Sequence, residues 1–399
     1  MSTNVTERVL RTLNGQTPDR IPFLVRLDVW YACHKRAGSI PPEFRDMSLE
    51  AIHHALGVGR QRFVVPFRWR LRGVDMTVTF NGAEVFREHE PVVELICGSH
   101  EWVRADQAGE TVTHYETPVG SLRTCHTLSL LGVQSGTEPY LKEHFIKEDA
   151  DYRVVEYLIE HAEYMPVYES ILEEQRRLEG IGFVIPLLPR IPFQQALLEY
   201  LGEMSLFYAL HDSPRQVERL LQLLDEQLVN VLHHMEELYV PYVEFPDNLH
   251  GLMTNPSLFR THCLTAYQRY CDILHAQGKK VGSHTDGDVK PLLKLLKESG
   301  LDVCESFSPA PLTSCTFDEA WNAWQGKPMI WGGIPSPLLE ERTDEQVLYE
   351  YLEHLLATVG WQPIVLSVVD MVMGHNSPER IRSIARRLEH HIITTPDIA

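Results

Sequence analysis

Apolar positions along the chain recur first with helical and then with strand spacing. Val9, Leu10 and Leu13 share one side of an opening helix, and the turn at Pro18-Asp19 leads into the apolar run Ile21 to Arg26, a first buried strand. A helical stretch near 48–57 ends at Gly57-Val58-Gly59, and Phe63 to Phe67 is a second apolar run of strand length. The opening therefore reads β-α-β. From about 75 to 130 the texture changes to short alternating segments, Met76 to Phe80, Val92 to Ile96 and Thr111 to Tyr115, separated by Asn81-Gly82 and Ala108-Gly109. Period-two alternation broken by turn dipeptides predicts an antiparallel meander.

Helical spacing returns across 150–178, with Tyr152, Val155, Leu158 and Ile159 on one stripe, and Phe183 to Leu188 is a third buried strand. Two helices, 193–210 and 213–238, precede a fourth strand, Val240 to Phe245. From there helix and strand alternate regularly. Helix 256–277 leads to strand Lys280 to His284, helix 289–299 to strand Leu301 to Glu305, and helix 316–324 to strand Met329 to Trp331. Helix 344–358 and strand Ile364 to Val369 follow, and helix 378–391 is last. Eight apolar strands joined by helical crossovers predict an α/β fold, a closed (β/α)8 TIM barrel. It would be a single domain, 1–399, with the β-rich stretch 75–130 inserted between strands two and three. An open doubly wound sheet would carry a glycine-rich phosphate loop, and neither G-x-G-x-x-G nor G-x-x-x-x-G-K-[ST] occurs. Residues 392–399 lack an apolar period and are expected to be a frayed end or an oligomer contact, as in a homodimer.

Charge narrows the partners. Lys plus Arg is 36 against 55 Asp plus Glu, a net charge of −19, which disfavours nucleic acid and anionic lipid. No apolar run approaches the roughly 18–20 residues that span a bilayer, and residues 1–15 lack a signal-peptide core. A soluble cytoplasmic protein without a nucleic-acid or membrane partner is expected. The seven cysteines (33, 97, 125, 263, 271, 304 and 315) form no Cys-x-x-Cys pair, which predicts free thiols and excludes a zinc ribbon.

In a barrel of this kind the reactive groups sit at the carboxyl ends of the strands, so polar residues that close apolar runs are the candidates. His284 and Asp286 close the fifth strand on one side of the chain, as residues i and i+2 of an extended segment do. Glu305 closes the sixth strand, about 4.8 Å away, and Asp370 follows the eighth. An imidazole nitrogen with carboxylate oxygens suits a divalent transition metal such as zinc. The competing reading has His284 and Asp286 bonded to each other, or Asp286 capping the helix near Val289, a place Asp288 fits better. Asp247 and Asn248, with Glu244 and His250, either line a pocket or serve as loop residues before Pro256. Arg26 and Asp28 either grip a carboxylate substrate or pair with each other. Glu305, Asp247 and Arg26 are thus candidates for catalysis, and Asp28 and Asn248 for substrate binding. Trp331 and Phe307 belong to a set of strand-end aromatics, with Trp30, Tyr31, Phe67, Trp69 and Phe245, that could face a small ligand, half of them being core. The pairs His53-His54, His233-His234 and His390-His391 are helix neighbours about 100° apart, cannot share a cation and are expected at the surface.

The opening residues Arg8, Arg11, Leu13, Gly15 and Pro18 to Pro22 are similar to the start of the uroporphyrinogen decarboxylase superfamily. Further stretches agree: Tyr115 to Arg123, His284 to Gly287, Glu305 with Phe307, Pro309 and Pro311, Ile330 to Pro335, and Asp370 with Glu379 to Ile381. The resemblance covers nearly the whole chain and looks closest to the methyltransferase-like branch. It implies a metal, zinc or another divalent transition ion, at the barrel mouth. It also implies transfer of a methyl group from a small methoxylated or methylated donor to a corrinoid carried by a separate corrinoid-binding protein. In that reading a metal on His284, Asp286 and Glu305 is a Lewis acid for the leaving oxygen while cobalt(I) takes the methyl carbon, and the acidic surface meets a basic rim on the partner.

The decarboxylase itself is resembled less. Where it has two arginines in the first-strand loop, Arg26 to Tyr31 keeps one, and Val65 to Arg68 lacks the acid that ends its second strand. Met373-Gly374-His375 resembles its C-terminal histidine but stands too close to Pro378-Glu379. Thiol-activating relatives use His-x-Cys and a second Cys near the last strand. Here His284 matches, Asp286 replaces the first cysteine, Glu305 matches a glutamate of cobalamin-independent methionine synthase, and Asp370 lies near the place of the last cysteine. This harder set does not imply a thiol substrate. The alternative functions are a decarboxylase of another small acid anchored on Arg26, and a non-catalytic ligand-binding barrel.

Overall fold

The computed structural model describes residues 3–95 and 99–391. Eight parallel strands build the centre: β1 Phe23–Val25, β2 Gly59–Val64, β3 Gly182–Pro186, β4 Tyr242–Phe245, β5 Lys280–His284, β6 Val303–Phe307, β7 Met329–Ile334 and β8 Val365–Val368. They neighbour one another in the order β3-β2-β1-β8-β7-β6-β5-β4, and a parallel bridge between Leu187 and Glu244 closes β3 onto β4. The expected TIM barrel forms. Every residue of β1, β3, β4, β6, β7 and β8 is buried, because one face lies inside the barrel and the other under helices. The opening helix Val5–Leu13, begun by a capping box of Asn4 and Glu7, turns Val9 and Leu13 into the interior cluster of Leu24, Phe183, Tyr242, Trp331 and Val365.

Four expectations need correction. The second barrel strand is Gly59–Val64, not Phe63 to Phe67. After Val65-Pro66 the chain leaves the barrel, and Phe67–Leu71 pairs antiparallel with Ala162–Pro166 and Val92–Val93. Beyond it lies a five-stranded sheet in the order Ala83–His89, Asp75–Phe80, Gly109–Thr117, Gly120–Leu128, Tyr140–Glu143. The meander is therefore right in kind, but the antiparallel excursion runs from 67 to 166 rather than 75 to 130. For the same reason 150–178 is not one helix. Helix Asp149–Glu160 and helix Tyr168–Leu178 are separated by Ala162–Pro166, whose strand pairing and terminal proline override the helical period. Finally, 193–210 is divided at Gly202, whose φ of 78° is a left-handed conformation. Helix Pro192–Gln195 runs on into a π turn, Ala196–Tyr200, and helix Glu203–Asp212 follows.

The six described cysteines are free and buried; Cys97 and the tail 392–399 lie outside the described residues. Among those residues no helix is long and apolar enough to cross a membrane. His53 corrects the surface expectation for paired histidines: it is buried, with Nδ1 against the Leu49 carbonyl at 2.8 Å and Nε2 against the Val25 carbonyl at 3.3 Å.

Candidate active site

Strands β4, β5 and β6 end side by side, and their polar residues meet inside the mouth of the barrel. His284 is in register with Glu305, and Glu244 with Gly282. His284 Nδ1 lies 2.5 Å from Glu305 Oε2 and 3.8 Å from Glu244 Oε1. Its Nε2 faces the other way, 3.8 Å from Asp286 Oδ2 and 3.8 Å from Asp370 Oδ1. From β2, Gln61 Nε2 donates to Glu305 Oε1 at 2.7 Å, and Gln61 Oε1 accepts from Trp331 Nε1 at 2.9 Å. Glu305 is therefore gripped from both walls of the barrel.

Backbone geometry aims these groups. Ser306 (φ 55°), at the bulge within β6, and Asn248 (φ 48°) and Asp370 (φ 57°), just past the ends of β4 and β8, take the left-handed conformation, in which non-glycine residues are uncommon. At Ser306 the β6–β7 register shifts, so Glu305 points inward while Phe307 turns out against Trp324. Ser306 Oγ accepts from the Asp370 backbone N–H at 2.8 Å, tying β6 to the loop after β8.

Burial and charge compete in the cluster. For His284 burial opposes the charged ring, but the pull of Glu305 and then Asp286, with the Glu305 hydrogen bond, pushes its pKa up to about 10. Glu305 is driven up by burial, yet the charge and hydrogen bond of His284, then Gln61 and Arg26, hold it below the usual carboxylate range. For Glu244 burial and the charge of Glu305 outweigh the pull of His284 and the Tyr242 hydrogen bond, and push it well above that range. The ion-free cluster thus holds an imidazolium, one carboxylate and one carboxylic acid.

The donor set fits a metal. Glu244, His284 and Glu305 each offer a ligand atom, all within 4.8 Å of one another, the one such group among the described residues. Glu244 Oε1 is buried with no hydrogen-bond partner, a costly orphan that a cation would satisfy. One nitrogen and two oxygens suit zinc or a similar divalent ion. Of the expected ligands, His284 and Glu305 belong to this group together with Glu244, which the sequence offered beside Asp370 as a further ligand, while Asp286 and Asp370 lie 3.8 Å from His284 Nε2.

Other expected residues are placed differently. Asp247 is wholly buried, accepting from the Ile191 backbone N–H at 2.9 Å, Ser283 Oγ at 3.3 Å and the Tyr267 hydroxyl, so it braces the loop and does not join the cluster. Asn248 accepts from Arg190 at 2.7 Å and donates to Asp286 Oδ2 at 2.9 Å. Asp28 pairs with Arg60 at 2.9 Å rather than with Arg26. Arg26 donates to Asp370 Oδ1 and to its carbonyl, both at 3.2 Å. Trp331 and Phe307 are fully buried core residues, as are Trp30, Phe67 and Phe245. His375 pairs with Glu340 at 3.4 Å.

The aromatic at the site is Phe63, under the Arg26 guanidinium at 4.7 Å and 6.3 Å from the His284 ring. Arg26 and Phe63 border a cleft of about 920 Å³ between the barrel mouth and the antiparallel excursion. Gln61 was missed because polar residues within a strand give no signal of their own. Phe63 was missed because its strand was placed too late.

The family model "Uroporphyrinogen decarboxylase (URO-D)" matches residues 132–385. No curated protein matches the sequence. Among solved structures, a methyltransferase from Methanosarcina mazei shares the fold at 12% identity and a TM-score of 0.59, covering 97% of this chain and 98% of that one. A provisionally assigned vitamin-B12 independent methionine synthase from Listeria monocytogenes matches at 13% identity and a TM-score of 0.34, over 56% of this chain and 69% of its own. The ribulose-1,5-bisphosphate carboxylase/oxygenase of Pyrococcus horikoshii matches at 11% identity and a TM-score of 0.29, over 59% and 45%. The last two are partial likenesses.

Proposed function

Because the chain belongs to the uroporphyrinogen decarboxylase family, we propose that it is a methyltransferase of that fold, acting on a small methoxylated or methylated donor, with a corrinoid on a partner protein as acceptor. The observation that carries this reading is the buried Glu244, His284 and Glu305 group at adjoining strand ends beside an open cleft. These three would hold zinc or a similar ion, and the ion supplies a Lewis acid for the leaving oxygen. Asp286 and Asp370, facing the second nitrogen of His284, are the kind of carboxylates that orient a metal-binding imidazole. Phe63 offers the donor an apolar face. Gln61 and Trp331 lock Glu305, and the buried floor keeps water from the reacting carbon. Porphyrinogen decarboxylation is not supported, since the one first-loop arginine is engaged by Asp370.

The test has two parts. Protein prepared with zinc should carry about one equivalent, lost in His284→Ala without loss of circular dichroism. Incubated with cob(I)alamin as stand-in acceptor and a panel of methoxyaromatics, methylamines and methanol, it should convert cobalt(I) to methylcobalt in the visible spectrum. A decarboxylase acting on another small acid is the second reading, in which a substrate carboxylate displaces Asp370 from Arg26 at the edge of the cleft. Release of carbon dioxide from a carboxylated compound, with no donor supporting methylation, would establish that reading instead.

A further inference from the structure

The strand Gly120–Leu128 carries an imidazole that the chemistry above does not use. His126 shares the face of Leu122, Thr124 and Leu128, the alternate positions that an antiparallel strand packs inward. It is 3% exposed, and neither Nδ1 nor Nε2 has a hydrogen-bond partner. An apolar residue would fill the position without leaving two buried polar atoms unsatisfied. The ring borders the same cleft as Arg26 and Phe63. The facing strand is irregular just there: Cys125 pairs with Glu143 and His126 with Leu141, skipping Lys142, a bulge of the kind that re-aims side chains beside binding sites.

The cleft around His126 selects a chemistry. Phe63, Leu187 and Leu197 form an apolar part of its wall, with the imidazoles of His100 and His144 and the Tyr140 phenol beside them. Its acids, Glu138 and Glu203, disfavour an anion, and the guanidinium of Arg26 is already engaged by Asp370. Burial, with His144 nearby, pushes the His126 pKa down to about 4, so the ring is neutral and offers one donor and one acceptor. A hydroxyl group, itself donor and acceptor, complements it.

We propose that the antiparallel excursion carries a binding subsite in which His126 hydrogen-bonds the hydroxyl of a small, neutral, ring-bearing phenol lying in the cleft. This rests on the methyltransferase reading only for the role of that phenol, where it narrows the donor to a methoxyphenol. Both nitrogens are buried, so binding requires a turn of the ring about its χ2; Phe63, which borders the same cleft, lies 6.3 Å from the His284 ring at its far end.

Calorimetric titration without any methyl acceptor tests it, with 2-methoxyphenol, methoxybenzene and 3-methoxybenzoate as probes. The wild type should bind 2-methoxyphenol most tightly. His126→Phe should weaken that binding at least about tenfold, the scale of a buried hydrogen bond lost, and leave methoxybenzene unchanged. His126→Gln, which keeps a donor and an acceptor, should recover part of the loss and serves alone if the Phe variant does not fold. The ¹⁵N resonances of His126 should shift with the phenol and not with methoxybenzene. No binding by the phenol, tighter binding of the benzoate, or binding indifferent to both variants overturns the subsite. Because no acceptor is present, failure of methyl transfer with this binding intact refutes the methyltransferase reading alone.

Discussion

At the scale of single residues, the two glutamates flanking His284 look alike in sequence and differ in charge. Glu305 is ionised against the imidazolium, whereas Glu244 keeps its proton. In chelator-treated protein, Glu305→Gln leaves a buried charge on His284 without its nearest partner, and should cost on the order of 3 kcal/mol in urea unfolding. Glu244→Gln replaces one neutral group with another and should cost about 1 kcal/mol or less, the scale of one neutral hydrogen bond. With zinc present the order should reverse in metal affinity: Glu244→Gln removes a carboxylate ligand and should weaken binding in a competition titration. Equal stability losses in the two metal-free variants would contradict the charge assignment.

At the scale of elements, the join between β6 and β7 decides where Glu305 points. Gly332 has φ 144°, and a Cβ there would come 2.7 Å from the Phe307 nitrogen and 2.9 Å from its oxygen, backbone atoms that cannot step aside. Gly332→Ala should therefore destabilise the barrel by roughly 2–4 kcal/mol. Gly278, at φ 77° with nothing within 4 Å of its Cβ position, carries only the conformational cost, and Gly278→Ala should lose roughly 1–2 kcal/mol. Thermal unfolding of the two variants separates close approach from backbone strain. Gly332, the first of the glycine pair in Ile330 to Pro335, is thus a packing requirement of the bulge at Ser306, whereas Gly333 packs beside Phe317.

Across the whole molecule, we propose that barrel and excursion form one domain, since a single apolar cluster runs from Val25 and Leu366 of the barrel to Val78 and Tyr115 of the excursion. Glu199 sits at their seam, in a cavity shared with Trp69, Tyr115 and Arg190. Burial outweighs the pull of its partner Arg190 and lifts its pKa to about 7 from an ordinary 4.5. A carboxyl raised on folding binds its proton more tightly in the native state. Its stabilising contribution is complete below about pH 4.5 and fades as the pH rises through about 7. Subtracting the unfolding free energy of Glu199→Gln from that of the wild type should expose this term, since the glutamine cannot titrate. The difference should fall steadily between those two pH values, and a flat difference would contradict the assignment.

What the sequence determined by itself was local. Apolar period marked seven of the eight barrel strands and the antiparallel character of the excursion, while the second strand, Gly59–Val64, carries Arg60, Gln61 and Arg62 and escaped it; polar residues closing strands pointed to His284 and Glu305. Only the tertiary structure decided which neighbours complete the site, because partners such as Gln61 and Glu305 stand 244 positions apart and are brought together by barrel closure. Direction was equally hidden. Phe307, two residues beyond Glu305, should share its side, but the left-handed Ser306 between them turns it outward. Asp247 closes a strand as Glu244 does, yet packing against Tyr267 and Ile191 draws it away from the mouth. Periodicity records that a side chain is buried. Whether it is buried in the barrel, under a helix or against the excursion depends on contacts between distant segments.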